Sequence, residues 1–145
     1  MTQQKEIIWV GELELRFLLD GEDTRDKMLP FESIFPAGAI VAGAPHYHQH
    51  TDEMIYVLEW VLTVMIDKKK IEIGPGQTCF IRCGFIRHIQ NKTAEAVKAL
   101  GLMTPAVIGL SYFKEMSERF KPGVIPDFAK VRDTMIRNDT IPVLQ

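Results

Sequence analysis

Cysteine is scarce in this chain: the 145 residues hold two, Cys79 and Cys83, which excludes a disulfide-stapled fold. They lie four apart in a strand-like stretch, so they are expected on one face and read as small buried apolar residues. A run of about 20 apolar residues is also missing, which excludes a membrane-spanning helix. The start, MTQQKEIIWVGELEL, has no long apolar segment and mixes acidic with basic residues. A secretory signal is therefore not expected, and a cytoplasmic location is. Neither sign of charge dominates: 17 basic against 19 acidic residues leave a formal net charge of −2. That balance gives no electrostatic reason to bind nucleic acid or a membrane surface, and the short run Lys68-Lys69-Lys70 reads as a solvated turn. Repeats, low-complexity tracts and internal linkers are absent. The two glycosylation-type sequons, at Asn91 and Asn138, are read as chance.

What is present is ordinary core material, with 46% apolar residues, in a length that suits one domain spanning 1–145. Over the first hundred residues apolar positions alternate or run briefly between turn signals. Strands are expected at 7–10, 14–19, 29–35, 53–59, 62–67, 70–73, 78–81, 87–90 and 97–103, with turns at 20–21, 36–38, 43–45, 74–76 and 84. Many short strands at a spacing of about ten residues predict an all-β sandwich or barrel. After Pro105 the period becomes helical. Tyr112, Phe113, Met116 and Phe120 share one face of a helix over 111–120 with Ser111 as N-cap. A second helix begins at Asp127, another N-cap, and carries Phe128, Val131 and Met135 on one face. Both are expected to pack outside the barrel or against a partner subunit.

Three of the four histidines lie within five residues, His46-Tyr47-His48-Gln49-His50, and Glu53 follows. Residues two apart on a strand share a face, so His46 and His48 point together, and Glu53 can return a carboxylate to the same place. Two imidazoles and one carboxylate suit a divalent transition metal (Fe, Mn, Ni, Co or Zn) and leave positions open for substrate or dioxygen.

The stretch PHYHQHTDEMIYVLEWVLTV, residues 45–64, resembles the first cupin motif at His46, His48 and Glu53. The stretch GQTCFIRCGFIRHIQN, residues 76–91, resembles the second at Gly76, Gly84 and Asn91. The resemblance covers roughly residues 30 to 105, and the tail is similar to the helical tail of small bacterial single-domain cupins. It implies a double-stranded β-helix, or jelly-roll, barrel over about 7–105 with two short helices over about 109–138. It implies far less about function, because cupins include oxidoreductases, isomerases, cyclases and plain binders. Four positions depart from the pattern. Trp60 stands for the glycine that ends the first motif, Asp67-Lys68 for an Asp-Gly turn, and Arg82 for the proline of the second motif. Arg87 stands for the histidine that would be a fourth metal ligand.

Moving the register by one to enlist His88 misplaces Asn91 and turns His88 to the other face, so Arg87 is expected inward and His88 outward. A guanidinium has no lone pair for a metal but binds carboxylate, phosphate or enolate oxygens well. Three readings of the site follow. His46, His48 and Glu53 hold a metal while Arg87 orients an anionic substrate; or His50 replaces the missing ligand; or the metal is lost and the pocket works without it.

The primary expectation is a mononuclear metal-dependent, dioxygenase-like oxidoreductase acting on a small organic substrate, with Glu53 or His48 as catalytic base. The alternatives are a metal-free isomerase or cyclase, in which Arg87 stabilises an enolate, and a non-catalytic ligand-binding module. A homodimer is also expected, in which the apolar strand Ile7-Ile8-Trp9-Val10 crosses to the partner's sheet.

Overall fold

The computed structural model describes residues 6–40 and 45–143. Its elements are β1 (Glu6–Val10), β2 (Leu13–Phe17), α1 (Gly21–Thr24), β3 (Leu29–Phe35), β4 (His46–His48), β5 (Asp52–Glu59), β6 (Leu62–Ile66), β7 (Lys69–Ile73), β8 (Thr78–Ile81), β9 (Arg87–Gln90), β10 (Val97–Thr104), α2 (Leu110–Arg119), α3 (Phe128–Arg137) and β11 (Thr140–Pro142). Two antiparallel sheets face each other. The six-stranded sheet has the order β1-β2-β3-β10-β5-β8, and the five-stranded sheet has the order β11-β4-β9-β6-β7. This is the expected double-stranded β-helix with helices at its C-terminal end. The turn expected at 43–45 lies, apart from Pro45, outside the described residues. No helix among the described residues is long and apolar enough to cross a membrane.

Alternation decides what faces inward. In β3 and β10 every second residue is buried, so Leu29, Phe31 and Phe35 meet Val97, Ala99 and Met103 in one core. Gly101 pairs with Phe31 across the β3–β10 ladder. A Cβ at Gly101 would stand 2.7 Å from the Phe31 ring, so the glycine is what lets that ring lie flat over the strand. Phe17, Phe31 and Phe113 form a ring cluster with centroid separations of 5.0 to 6.1 Å, which anchors α2 on the six-stranded sheet.

Asn91 is a structural residue. Its side chain is buried, donates to the carbonyls of Phe35, Pro36 and Glu95, and accepts from the backbone and hydroxyl of Thr93. It thereby ties the loop after β3 to the loop between β9 and β10.

Strand β1 pairs with β2 of its own chain through a tight hairpin and forms the edge of the six-stranded sheet; the alternation of its residues buries Ile8 and Val10 and leaves Ile7 and Trp9 exposed. Several expectations need correction. The first C-terminal helix starts at Leu110 with Gly109 as its N-cap and no side-chain cap, so Ser111 lies within the first turn. Asp127 does cap α3, accepting from the amides of Ala129 and Lys130. Phe128 is 65% exposed; the buried face of α3 is Val131, Thr134 and Met135. Strand β8 ends at Ile81, before Cys83, so Cys79 is buried while Cys83 is exposed. Three elements are not among the expected strands and helices; β4 is anticipated only as an extended stretch around His46 and His48. Helix α1 is too short for periodicity to reveal. Strand β11 exists only because β4 offers it an edge.

Candidate functional site

Strand pairing assembles the site. His46 and His48 are two apart on β4, and their rings stack with centroids 5.2 Å apart. Strand β9 lies beside β4 with Arg87 directly opposite His46. Glu53 comes from the other sheet, in β5, where alternation puts Glu53, Ile55 and Val57 inside. All four side chains line one cavity of about 90 Å³. The inward position of Arg87 is as expected, and His88 is half-buried on the opposite face of β9.

Arg87 is 1% exposed and Glu53 6%. Arg87 Nη1 donates to Glu53 Oε1 at 2.7 Å. Burial pushes the Glu53 carboxyl up, and the guanidinium opposes that push. Burial likewise lowers Arg87, and Glu53 holds its charge in place. Two further donors of the same guanidinium, Nε and Nη2, are buried with no protein partner, as is Nδ1 of His48. Buried polar atoms without a partner are rare and costly, on the order of 1–3 kcal/mol each. His48 has a pKa lowered to about 2, first by burial and then by the charges of Arg87 and His46, so its ring is neutral at neutral pH. Cys79, in β8 opposite Ile55, is raised by burial and by the nearby Glu53 charge and stays a thiol.

The donors differ in how they suit a metal. The neutral imidazole of His48 suits one, and its Nδ1 has no other partner. The carboxylate does not, because Glu53 is held by a cation that occupies the fourth corner. Among the described residues no group of three His, Cys, Asp or Glu side chains is placed to hold a metal ion. As folded, the site is an Arg–Glu pair flanked by two histidines and does not fit a metal.

His50 does not replace the missing ligand. Its ring Nδ1 lies 2.7 Å from Asp139 Oδ1, and it is not in the cavity wall. Asp139 also accepts from the His50 amide at 3.1 Å and from the Thr51 hydroxyl at 2.6 Å, and its carbonyl accepts from the Gln49 amide at 2.9 Å. Strand β11 then pairs along β4, with Thr140 opposite His48 and Pro142 opposite His46. The C-terminal segment is thus the neighbour that positions the histidine strand. Trp60 takes the left-handed backbone of the glycine it replaces, with φ 64°. It is 53% exposed and lies away from the cavity.

Sequence reasoning missed part of the wall. Tyr112, Phe113 and Met116 of α2 line the cavity together with Val10 and Leu13 of the β1–β2 hairpin. The helical period of Tyr112, Phe113 and Met116 marked a buried face but not what that face covers, so α2 closes the barrel rather than decorating its outside.

The family model for the cupin domain matches residues 31–103. A search of curated proteins finds no match. Among solved structures, a protein from Thermotoga maritima described as a predicted oxalate decarboxylase is 24% identical with a TM-score of 0.62; the match covers 69% of this chain and 90% of that one. KdgF from Halomonas sp. is 17% identical with a TM-score of 0.60, covering 70% and 86%. The Cupin_2 domain of an XRE family transcriptional regulator from Enterobacter cloacae is 21% identical with a TM-score of 0.55, covering 63% and 95%. At these identities the likeness is one of fold. With a cupin-domain match over half of its length and both motifs folded into the facing sheets of a jelly-roll barrel, the chain belongs to the cupin family.

Proposed function

We propose that this cupin binds a small oxygen-bearing organic molecule on Arg87 and moves a proton on it with Glu53, as a metal-free isomerase or cyclase does. The observation that carries this reading is the buried guanidinium at the position of the usual fourth ligand. It holds Glu53 at 2.7 Å and keeps two donors unpartnered. Such donors stabilise an enolate or carboxylate oxygen in a water-poor site. A carboxyl group raised by burial is a better base than an exposed one, and it sits beside the group that would hold the oxyanion. Neutral His48 can donate or accept a hydrogen bond but does not supply an acidic proton at neutral pH.

The second reading is the metal-dependent, dioxygenase-like oxidoreductase, with His46, His48 and Glu53 holding the metal and Arg87 orienting the substrate. Neutral His48 and its unpartnered Nδ1 favour it, and it requires Glu53 to leave Arg87. The two readings part on one experiment. Metal content is measured after tag-free purification and again after reconstitution, for the natural chain and for Arg87→His. The metal-free reading expects less than about a tenth of an equivalent in the natural chain and a marked gain on Arg87→His. Near-stoichiometric metal in the natural chain would sink it. A homodimer, with the exposed Ile7 and Trp9 face of β1 as its contact, is part of the same proposal; sedimentation velocity giving a monomer at micromolar concentration would remove it.

A further inference from the structure

The unpartnered nitrogens of Arg87 are not any two of its three. Nη1, on the side of the guanidinium cis to Cδ, is taken by Glu53. Nε and Nη2 are the two without a protein partner, and their N–H bonds run parallel on the opposite side. That pair is the side-on fork, whose spacing matches the two oxygens of one carboxylate. The rest of the wall says what that carboxylate is attached to. Among the described residues, apart from the two histidines, Glu53 and Arg87, its only polar side chains are Ser33 and Tyr112, and Tyr112 is paired with Thr140. Val10, Leu13, Phe113 and Met116 add no charge. The local charges, one positive on Arg87 and one negative on Glu53, already cancel, so a dianion would bring a second uncompensated charge into a buried site. Size narrows the class further. A cavity of 150 Å³ takes benzene, with six heavy atoms, so about 90 Å³ encloses about four, and the last tail atoms of a slightly longer ligand lie in the cavity's open mouth.

We infer that the pocket's ligand is a short monocarboxylate, its head on the Nε–Nη2 fork of Arg87 and a tail of about one to three carbons against Phe113 and Met116 of α2. This rests on the proposed role of Arg87 as the oxyanion site and adds the ligand's charge, length and polarity to it. It also separates this chain from any cupin that takes a dicarboxylate, because among the described residues the wall carries no cation besides Arg87 to hold a second carboxylate.

The test is titration of the chelator-treated full chain, followed by NMR, with acetate, propionate, butyrate, hexanoate, oxalate and the neutral amide butyramide. Affinity should rise about fourfold per methylene from acetate to butyrate, the factor set by burying one CH2. It should fall again at hexanoate, and oxalate should bind at least about tenfold more weakly than butyrate. Arg87→Lys should abolish the preference for carboxylates. Met116→Trp, placed away from the ion pair, should weaken butyrate at least about tenfold and leave acetate within about twofold, and it keeps the test open if Arg87→Lys does not fold. Oxalate binding as tightly as butyrate, or a flat series, overturns the short-monocarboxylate class while leaving Arg87 as an oxyanion site. Binding of butyramide alone, with no carboxylate bound, overturns both the class and the oxyanion site. If none of the six probes binds, the oxyanion-site reading falls with it.

Discussion

Acid should unfold this protein more steeply than a variant in which position 48 cannot take up a proton. His48 is 3% exposed, and burial, then Arg87, then His46 lower its pKa from 6.5 to about 2. In the unfolded chain the ring binds a proton below about pH 6.5; in the folded chain it does so only near pH 2. Between those values the unfolded state holds the extra proton, so stability rises with pH and is lost as pH falls. Each unit below 6.5 costs about 1.4 kcal/mol. By about pH 5 the loss through His48 alone is therefore about 2 kcal/mol, a large share of a typical 5–15 kcal/mol. Glu53 works the other way, because its carboxyl is raised by burial and the folded chain gains by taking that proton. Glu53 is common to both proteins, as are the exposed carboxylates, so the comparison with His48→Gln cancels them to first order. The assay is urea unfolding of chelator-treated protein at about pH 7, 6 and 5 for both chains. The natural chain should lose about 2 kcal/mol more than His48→Gln across that range. Parallel profiles would show that the ring is solvated or paired, and the buried geometry claimed for β4 would be wrong.

Asp139→Ala removes the acceptor for the buried Thr51 hydroxyl and the His50 amide and should cost about 2–4 kcal/mol in urea unfolding, with Asp139→Asn about half as harmful because it keeps one acceptor oxygen. A loss under about 0.5 kcal/mol would mean that β11 does not hold the histidine strand. Gly101→Ala puts a methyl 2.7 Å from the Phe31 ring and should destabilise by about 1–3 kcal/mol through overpacking; the double change with Phe31→Leu should recover most of it, and a neutral single substitution would show that the ring has room to move.

The barrel was legible because its signals are local and periodic. Alternation marked β3, β5 and β10, and glycines marked turns where the backbone needs positive φ, as at Gly76 and Gly84 with φ of 82° and 85°. The helical period and the Asp127 cap located α3 to within a residue of its observed start. His46, His48, Glu53 and Arg87 were likewise legible as one set, since strand parity and motif spacing fix which residues face inward. Parity failed where a strand stopped early, at Cys83, and where a helix face was judged without its neighbours, at Phe128.

What the chain's order of residues determined by itself is a jelly-roll barrel carrying two histidines, a carboxylate and an arginine on its inner faces. What only the tertiary structure decided is how those groups pair. Position along a strand says which side a side chain takes, but the partner is set by which strands lie opposite. Two sheets brought Arg87 onto Glu53, took His50 away to Asp139, and laid α2 over the cavity. Those are contacts between residues 34 and 89 positions apart, and no local pattern encodes them; they turn a donor set that reads as a metal site into an ion pair with two unpartnered nitrogens.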